Sequence, residues 1–124
     1  MCIRDRDFDS TKLDYGILSD FPERVNINLV SNGPFNDWIH INSIDYNAEL
    51  DQILLSARNA NEIWIIDHST TTAEAASHSG GNAGKGGDLL YRWGNPQIYG
   101  RGTENDRIYY RQHDATWDSH WLPR

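Results

Sequence analysis

The 124-residue sequence predicts an all-β fold centred on one antiparallel sheet of four short strands. Three observations support this prediction. Apolar and polar residues alternate with a period of two in several short runs, which is typical of half-buried strands. Turns rich in Asn, Asp and Gly separate those runs. The longest apolar run, residues 63–66, has the length of a strand and is far shorter than the roughly 18 residues of a membrane span.

The first two strands are predicted at residues 38–44 and 52–58. The first alternates isoleucines with polar side chains, and the second carries three consecutive apolar residues after Gln52. Residues 45–51 between them are rich in Asp and Asn and predict a turn. The two strands are therefore expected to pair as antiparallel neighbours.

The third and fourth strands are predicted at residues 62–67 and 88–93. The third is apolar on both faces, as a central strand would be. An inserted loop, residues 68–87, separates them. Within it we expect one helical turn at 72–76 and a flexible Gly-rich stretch at 79–87.

Four strands joined by short turns correspond to one blade of a β-propeller. A second blade is predicted to begin at His113, because His113-Asp114-Ala115 follows the similar opening His40-Ile41-Asn42 after 73 residues. An ordinary blade has roughly 40–50 residues, and the insertions near 68–87 and 97–111 account for the excess. The pattern alone also permits a small β-sandwich or an isolated β-meander.

The chain divides accordingly into four parts. Residues 1–6 resemble the translation of a transposon-end sequencing adapter and are expected to be a scar outside the fold, although a genuine N-terminus is the alternative. Residues 7–36 are expected to come from the preceding blade, 37–96 to form one blade, and 97–124 to connect it to the next. On this interpretation the chain is a truncated piece of a longer protein.

Composition excludes some functions. The net charge of −7 disfavours a nucleic-acid partner, although one or two Arg side chains can still hold a small anion in an acidic protein. The single cysteine, Cys2, predicts no internal disulfide. The spacings of the histidines match no compact metal-ligand motif, so no metal site is expected.

His40, Asn42 and Arg58 are predicted to form an anion pocket. Strand alternation puts His40 and Asn42 on one face, and Arg58 ends the strand that is expected to pair with theirs. Imidazole, amide and guanidinium groups can all donate hydrogen bonds to anionic oxygens. On spacing alone, the alternative of ordinary polar residues at strand ends stays open.

His113 is the candidate nucleophile, in the run Gln112-His113-Asp114-Ala115 at the predicted start of a strand. A neutral imidazole carries a lone pair near neutral pH and can attack without prior deprotonation. A structural role for a lone histidine is the alternative, and the spacing does not decide between them.

Three segments together resemble one protein family. Residues 37–46 resemble the D-W-x-H-x-N-S-x-D-Y segment of the PAPS-independent arylsulfate sulfotransferases. This run reads Asp37-Trp38-Ile39-His40-Ile41-Asn42-Ser43-Ile44-Asp45-Tyr46. Residues 55–59 are similar to the family's strand-end S-x-R. Residues 90–94, followed by 112–115, resemble its W-x-x-G-like turn and H-D-A strand. The resemblance covers roughly residues 35–117.

The resemblance implies a six-bladed propeller, of which this chain is about one full blade plus the start of the next. It implies transfer of a sulfuryl group from an aryl sulfate donor to a phenol acceptor, without the nucleotide PAPS or any other cofactor. By resemblance, His113 matches the histidine that takes the sulfuryl group covalently. His40, Asn42 and Arg58 match residues that bind the sulfuryl oxygens.

The sequence departs from the family pattern at three points. A further family histidine, in an earlier blade, has no counterpart here; the insertion at 68–87 is long; and residues 118–124 lack the expected apolar strand. The isolated fragment is therefore expected to be inactive. The resemblance also implies a periplasmic or secreted location. A non-catalytic propeller binding module and a sulfate-ester hydrolase stay open as other functions.

Overall fold

The structure is a computed structural model that describes residues 16–26, 37 and 39–118. Its centre is one antiparallel sheet in which each strand lies beside the next one along the chain. The strands are β1, Ile41–Asn47; β2, Gln52–Ala57; β3, Glu62–Asp67; and β4, Tyr91–Trp93. The predicted four-stranded meander is therefore confirmed, while the predicted adapter scar and the residues after 118 lie outside the described residues.

Four strand boundaries differ from the prediction: β1 begins at Ile41 and ends at Asn47 instead of 38 and 44, β2 ends at Ala57 instead of 58, and β4 begins at Tyr91 instead of 88. β1 continues three residues into the predicted turn, because Asp45, Tyr46 and Asn47 are paired with β2. β4 begins three residues late. The backbone N–H of Leu89 donates to the carbonyl oxygen of Glu23 at 2.8 Å, so the chain is still bound to the N-terminal segment there.

The insertion between β3 and β4 is folded into hydrogen-bonded turns. Helix α1, Thr72–Ala75, begins with a capping box between Thr71 and Glu74. In the Gly-rich stretch that was expected to be flexible, the Gly86 N–H donates to the Gly80 carbonyl oxygen at 2.9 Å. The insertion leaves the sheet at the end of β3, where Asp67 accepts a hydrogen bond from the Ala83 N–H at 2.9 Å.

One face of the sheet carries the hydrophobic core. Its buried members are Val25, Leu55, Ala57, Ala60, Trp64 and Leu89. Val25 and Leu89 come from outside the sheet and cover it. Leu55 of β2 and Trp64 of β3 are directly paired, so the two central strands supply the middle of this core.

A buried ion pair lies beside that core. Glu62 has no exposed surface and accepts hydrogen bonds from Trp64 Nε1 at 2.6 Å and Arg92 Nη2 at 2.5 Å. Burial raises the pKa of the Glu62 carboxyl group, against the opposing effect of the Arg92 guanidinium. Arg92 also donates to the carbonyl oxygens of Pro22 and Arg24, which joins the N-terminal segment to the sheet.

The segment after β4 returns across the end of the sheet and then follows β1. Ser43 Oγ donates to the Ala115 carbonyl oxygen at 3.2 Å, and Asp45 accepts from the Trp117 N–H at 2.8 Å. The residue numbers of the two bonded stretches increase in the same direction, so the segment runs parallel to β1. The predicted strand from His113 is nevertheless not formed within residues 112–118. Asp114 has φ 58°, which is incompatible with an extended strand.

Within the described residues, the model contains no helix with the length and apolar character needed to cross a membrane.

Candidate active site

The candidate residues lie at the end of the sheet where β1 begins and β2 ends. The Arg58 N–H donates to the His40 carbonyl oxygen at 3.1 Å, and the Asn59 N–H donates to the Ile39 carbonyl oxygen at 3.3 Å. These bonds continue the β1–β2 pairing beyond the strands. As predicted, strand pairing brings Arg58 opposite His40.

The simple alternation from which His40 and Asn42 were predicted to share a face does not hold. The register between β1 and β2 shifts between Ile41 and Ser43, which leaves Asn42 as the extra residue of a β-bulge. His40 has φ 51°, outside the extended region. The bulge lets the Asn42 amide reach the later segment, where Nδ2 donates to the Gln112 carbonyl oxygen at 2.8 Å.

A short hydrogen-bond chain connects His40 with Arg58. Nδ1 of His40 is bonded to the Asp37 carboxylate, and the Asp37 carbonyl oxygen accepts from Asn59 Nδ2 at 2.6 Å. Asn59 Oδ1 in turn accepts from Arg58 Nη1 at 3.0 Å. A carboxylate only accepts, so His40 carries a proton on Nδ1. The chain fixes the relative position of the imidazole and the guanidinium.

The His113 ring is exposed, and its hydrogen bonding identifies the reactive nitrogen. Nδ1 lies 3.0 Å from the Arg111 carbonyl oxygen. Because a carbonyl oxygen only accepts, Nδ1 must carry the proton of the neutral ring. The lone pair is then on Nε2, the nitrogen that points away from the ring's attachment to the chain.

The structure thus gathers the four predicted residues at one end of the sheet. His40 and Arg58 are adjacent across β1 and β2, and Asn42 contacts the residue before His113. Among the described residues, the hydrogen bonds of these four side chains go to other neighbours and do not join any two of them. Arg58 uses one of its five N–H donors there, so its guanidinium can still bind an anion.

Several supporting residues were not singled out from the sequence. Asp37, Asn59 and Gln112 hold His40, Arg58 and the His113 segment respectively. The spacing of Asp37 three residues before His40 is a signal that could have been used. Gln112 is adjacent to His113, but no pattern in the sequence indicates that its side chain contacts β2 and β3.

The match to a family model decides the family. The model for arylsulfotransferase (ASST) matches residues 20–117, which includes the whole sheet and all four candidate residues. The chain belongs to the arylsulfotransferase family. Comparison with curated proteins and with solved structures gave no match.

The arylsulfotransferase fold is a β-propeller, and the four-stranded sheet fits a fragment of one. Membership supports a function of the arylsulfotransferase type, with small molecules as substrates. No three His, Cys, Asp or Glu side chains in the described part of the chain form a group that could hold a metal ion.

The insertion between β3 and β4 lies at the other end of the sheet. β3 begins beside the candidate site at Glu62 and ends at Asp67, where the insertion leaves. Five steps of about 3.3 Å along an extended strand separate these two residues by roughly 17 Å. We therefore place the insertion away from His40 and Arg58.

Proposed function

We propose that the protein carrying this chain transfers a sulfuryl group from an aryl sulfate to a phenol through a sulfohistidine at His113. The observation that carries the proposal is the hydrogen bond from His113 Nδ1 to the Arg111 carbonyl oxygen. It places the lone pair on Nε2 of an exposed ring, at the end of the sheet that also holds Arg58 and His40. Family membership supplies the reaction class.

In the first step, Nε2 of His113 attacks the sulfur atom of the aryl sulfate. A nitrogen–sulfur bond forms, the bond between sulfur and the aryl oxygen breaks, and its electron pair leaves on the phenolate. Arg58 supplies N–H donors for the sulfuryl oxygens, and His40 adds one from Nε2 when its ring carries both protons, because Nδ1–H is held by Asp37. Fixed donors aimed at developing charge are usually the largest contribution to catalysis. By family resemblance, a histidine in an earlier blade assists the leaving phenolate.

In the second step, the acceptor phenol attacks the same sulfur atom. The new sulfur–oxygen bond forms, the nitrogen–sulfur bond breaks, and its electron pair returns to Nε2. The phenol proton passes to a base or to solvent. A covalent intermediate of this kind predicts ping-pong kinetics. No cofactor is required by either step, and a periplasmic or secreted location stays a prediction from the family.

The test uses the complete protein that contains this chain, with 4-nitrophenyl sulfate as donor and phenol as acceptor. We expect nitrophenol release that depends on phenol, formation of phenyl sulfate, and one SO₃ group on the His113 peptide by mass spectrometry. His113→Gln should abolish all three. The matched control is His78→Gln, which changes an exposed histidine of the insertion and should keep the activity.

Two outcomes would contradict the proposal. One is sulfuryl transfer that survives His113→Gln, because the nucleophile would then lie elsewhere. The other is the absence of both phenyl sulfate and a His113 adduct in the wild-type protein, which would favour a binding module. Release of free sulfate without phenyl sulfate would instead identify a hydrolase.

A further inference from the structure

Three amide side chains hold the two residues that precede His113. Asn61 Oδ1 accepts a hydrogen bond from the Arg111 N–H at 2.8 Å. Gln112 Nε2 donates to the Glu62 carbonyl oxygen at 2.7 Å. Asn42 Nδ2 donates to the Gln112 carbonyl oxygen at 2.8 Å. Each bond joins the His113 segment to a different part of the sheet, namely β1, the β2–β3 turn and β3.

The chemistry of the partners fixes the orientation of each amide. A backbone N–H only donates, so Asn61 must present its oxygen to Arg111. Backbone carbonyl oxygens only accept, so Asn42 and Gln112 must present their nitrogens. None of the three amide groups can be turned around without losing its bond.

The anchor points of Gln112 are buried and firmly held. Besides Glu62, its Nε2 lies 3.3 Å from the Ala57 carbonyl oxygen and 3.4 Å from Ser56 Oγ. Ser56, Ala57 and Glu62 have no exposed surface. Because buried strand residues are the least mobile part of a sheet, the segment is anchored to a rigid base.

The backbone around His113 adopts conformations that need such support. Arg111 has φ 54° and Asp114 has φ 58°, on either side of Gln112 and His113. Residues other than glycine rarely occupy this left-handed region, and such conformations persist only where the surrounding structure holds them. Strain of this kind clusters at functional sites.

We propose that Asn42, Asn61 and Gln112 form an amide clamp that positions the nucleophile. By fixing Arg111 and Gln112, the clamp keeps the Arg111 carbonyl oxygen in place to accept from His113 Nδ1, and so keeps the lone pair on Nε2. The clamp rests on the proposed function, because it matters for catalysis only if His113 is the nucleophile.

This inference gives Asn42 a role other than the sulfuryl contact that the family resemblance implies. One of its two amide hydrogens is bonded to the Gln112 carbonyl oxygen, and Oδ1 is buried without a hydrogen-bond partner. An amide oxygen cannot donate to a sulfuryl oxygen. Only the second amide hydrogen can still donate to a sulfuryl oxygen, while the bonded one gives Asn42 a positioning role through Gln112 and His113.

The first test is independent of catalysis and uses a pair of variants at Asn61. Asn61 has φ 56°, which Asp tolerates and Gly adopts freely. Asn61→Asp keeps the acceptor for Arg111, whereas Asn61→Gly removes it together with the rest of the side chain. With ¹⁵N-labelled histidine, NMR should show His113 in the Nδ1–H form in the wild type and in Asn61→Asp, and a mixture of both neutral forms in Asn61→Gly.

The second test measures transfer kinetics in the complete protein. Gln112→Met removes the amide donor while keeping the length of the side chain, and the exposed Gln97→Met is its control. We expect kcat to fall by up to about 100-fold in Gln112→Met, because small displacements of a reacting group have effects of that order. KM for the donor and the activity of Gln97→Met should stay near the wild-type values.

The outcomes separate the clamp from the proposed function. If the wild type transfers no sulfuryl group, the proposed function fails, but the NMR comparison still decides whether Asn61 controls the His113 ring. The clamp is overturned if Asn61→Gly keeps the Nδ1–H form, or if a folded Gln112→Met keeps the wild-type kcat. Should Gln112→Met not fold, the Asn61 pair decides alone, because Asn61→Asp keeps the acceptor for the Arg111 N–H that Asn61→Gly lacks.

Discussion

The two ends of the sheet are held together by different side-chain chemistry. At the end with the candidate site, neutral amides make most of the tertiary hydrogen bonds: Asn42, Asn59, Asn61, Asn95 and Gln112. At the end with the insertion, carboxylates do so: Asp51, Asp67, Glu74 and Asp88. His113 is bonded to a backbone carbonyl oxygen, whereas His68 and His78 at the insertion end, like His40 at the site end, are bonded to carboxylates.

The difference determines how each end responds to pH. Amide groups do not titrate, so the hydrogen bonds that hold His113 keep their donors and acceptors in acid. Carboxylates lose their acceptor character when they are protonated. Hydrogen bonds from His68 and Tyr46 lower the pKa of Asp51, and those from Thr71 lower the pKa of Glu74. The insertion end therefore depends on ionised groups, while the amide hydrogen bonds that hold Arg111 and Gln112 do not.

The largest effect is expected from Glu62, a buried carboxylate at the site end. Glu62→Gln or Arg92→Met leaves the other member of a buried ion pair without its charge partner. Such a change costs about 3–5 kcal/mol in the free energy of unfolding. Urea unfolding followed by tryptophan fluorescence measures it, because Trp64 contacts Glu62.

The control for that measurement is Glu49→Gln in the exposed β1–β2 turn, where we expect a change within about 0.5 kcal/mol. Equal losses in Glu49→Gln and Glu62→Gln would show that burial of the pair contributes nothing.

An intermediate effect is expected from Asp67, where the insertion leaves β3. Burial alone would raise the pKa of Asp67, but hydrogen bonds from Ser69 and Ala83 outweigh it and lower the pKa. Its stabilisation is therefore present above the ordinary carboxyl pKa and is lost as pH falls through the lowered value. Asp67→Asn should cost about 1–3 kcal/mol at neutral pH and flatten the loss of stability in acid.

Hydrogen exchange gives the same comparison within one molecule. The Ala83 N–H donates to Asp67, and the Arg111 N–H donates to the Asn61 amide oxygen. As the pH falls through the lowered pKa of Asp67, protection of the Ala83 N–H from exchange should fall relative to protection of the Arg111 N–H. A parallel loss of protection at both positions would remove the distinction between the two ends.

The smallest effect is expected at the capping box of α1. Thr71→Ala removes the side-chain acceptor of the Glu74 N–H, and loss of such a cap costs about 1 kcal/mol. Because α1 lies in the insertion, the change should speed exchange at Glu74 and leave the His113 ring unaffected. Thr116→Ala, at an exposed position, is the control for the free energy of unfolding. An equal loss of stability in Thr116→Ala would contradict a stabilising role for the capping box.

The sheet could be predicted from the sequence because each strand is a short apolar or alternating run between polar turns. β3 was assigned with its observed bounds, since Glu62–Asp67 is a compact apolar run between two polar turns. The convergence of His40 and Arg58 followed from antiparallel pairing alone. Identity of the site residues came from the family resemblance, and their catalytic roles stay predictions.

The remaining features depend on contacts between distant positions. Asn42 meets Gln112, and Asn61 meets Arg111, across 70 and 50 residues of sequence. The bulge at Asn42 cancels the alternation on which the shared face of His40 and Asn42 was predicted. No local pattern predicts such a bulge, and the hydrogen bond that accompanies it joins Asn42 to Gln112, 70 residues later.

The hydrogen bond from the Ile108 N–H to the Gly94 carbonyl oxygen, 2.7 Å long, closes the base of the connection after β4. Gly94 has φ 131°, and a side chain there would collide with the Asn61 carbonyl oxygen. Residues 95–107 therefore form a side loop whose ends are already joined. Closing a longer loop costs little additional entropy. Evolution can consequently lengthen or shorten this stretch while the spacing between the sheet and His113 stays constant.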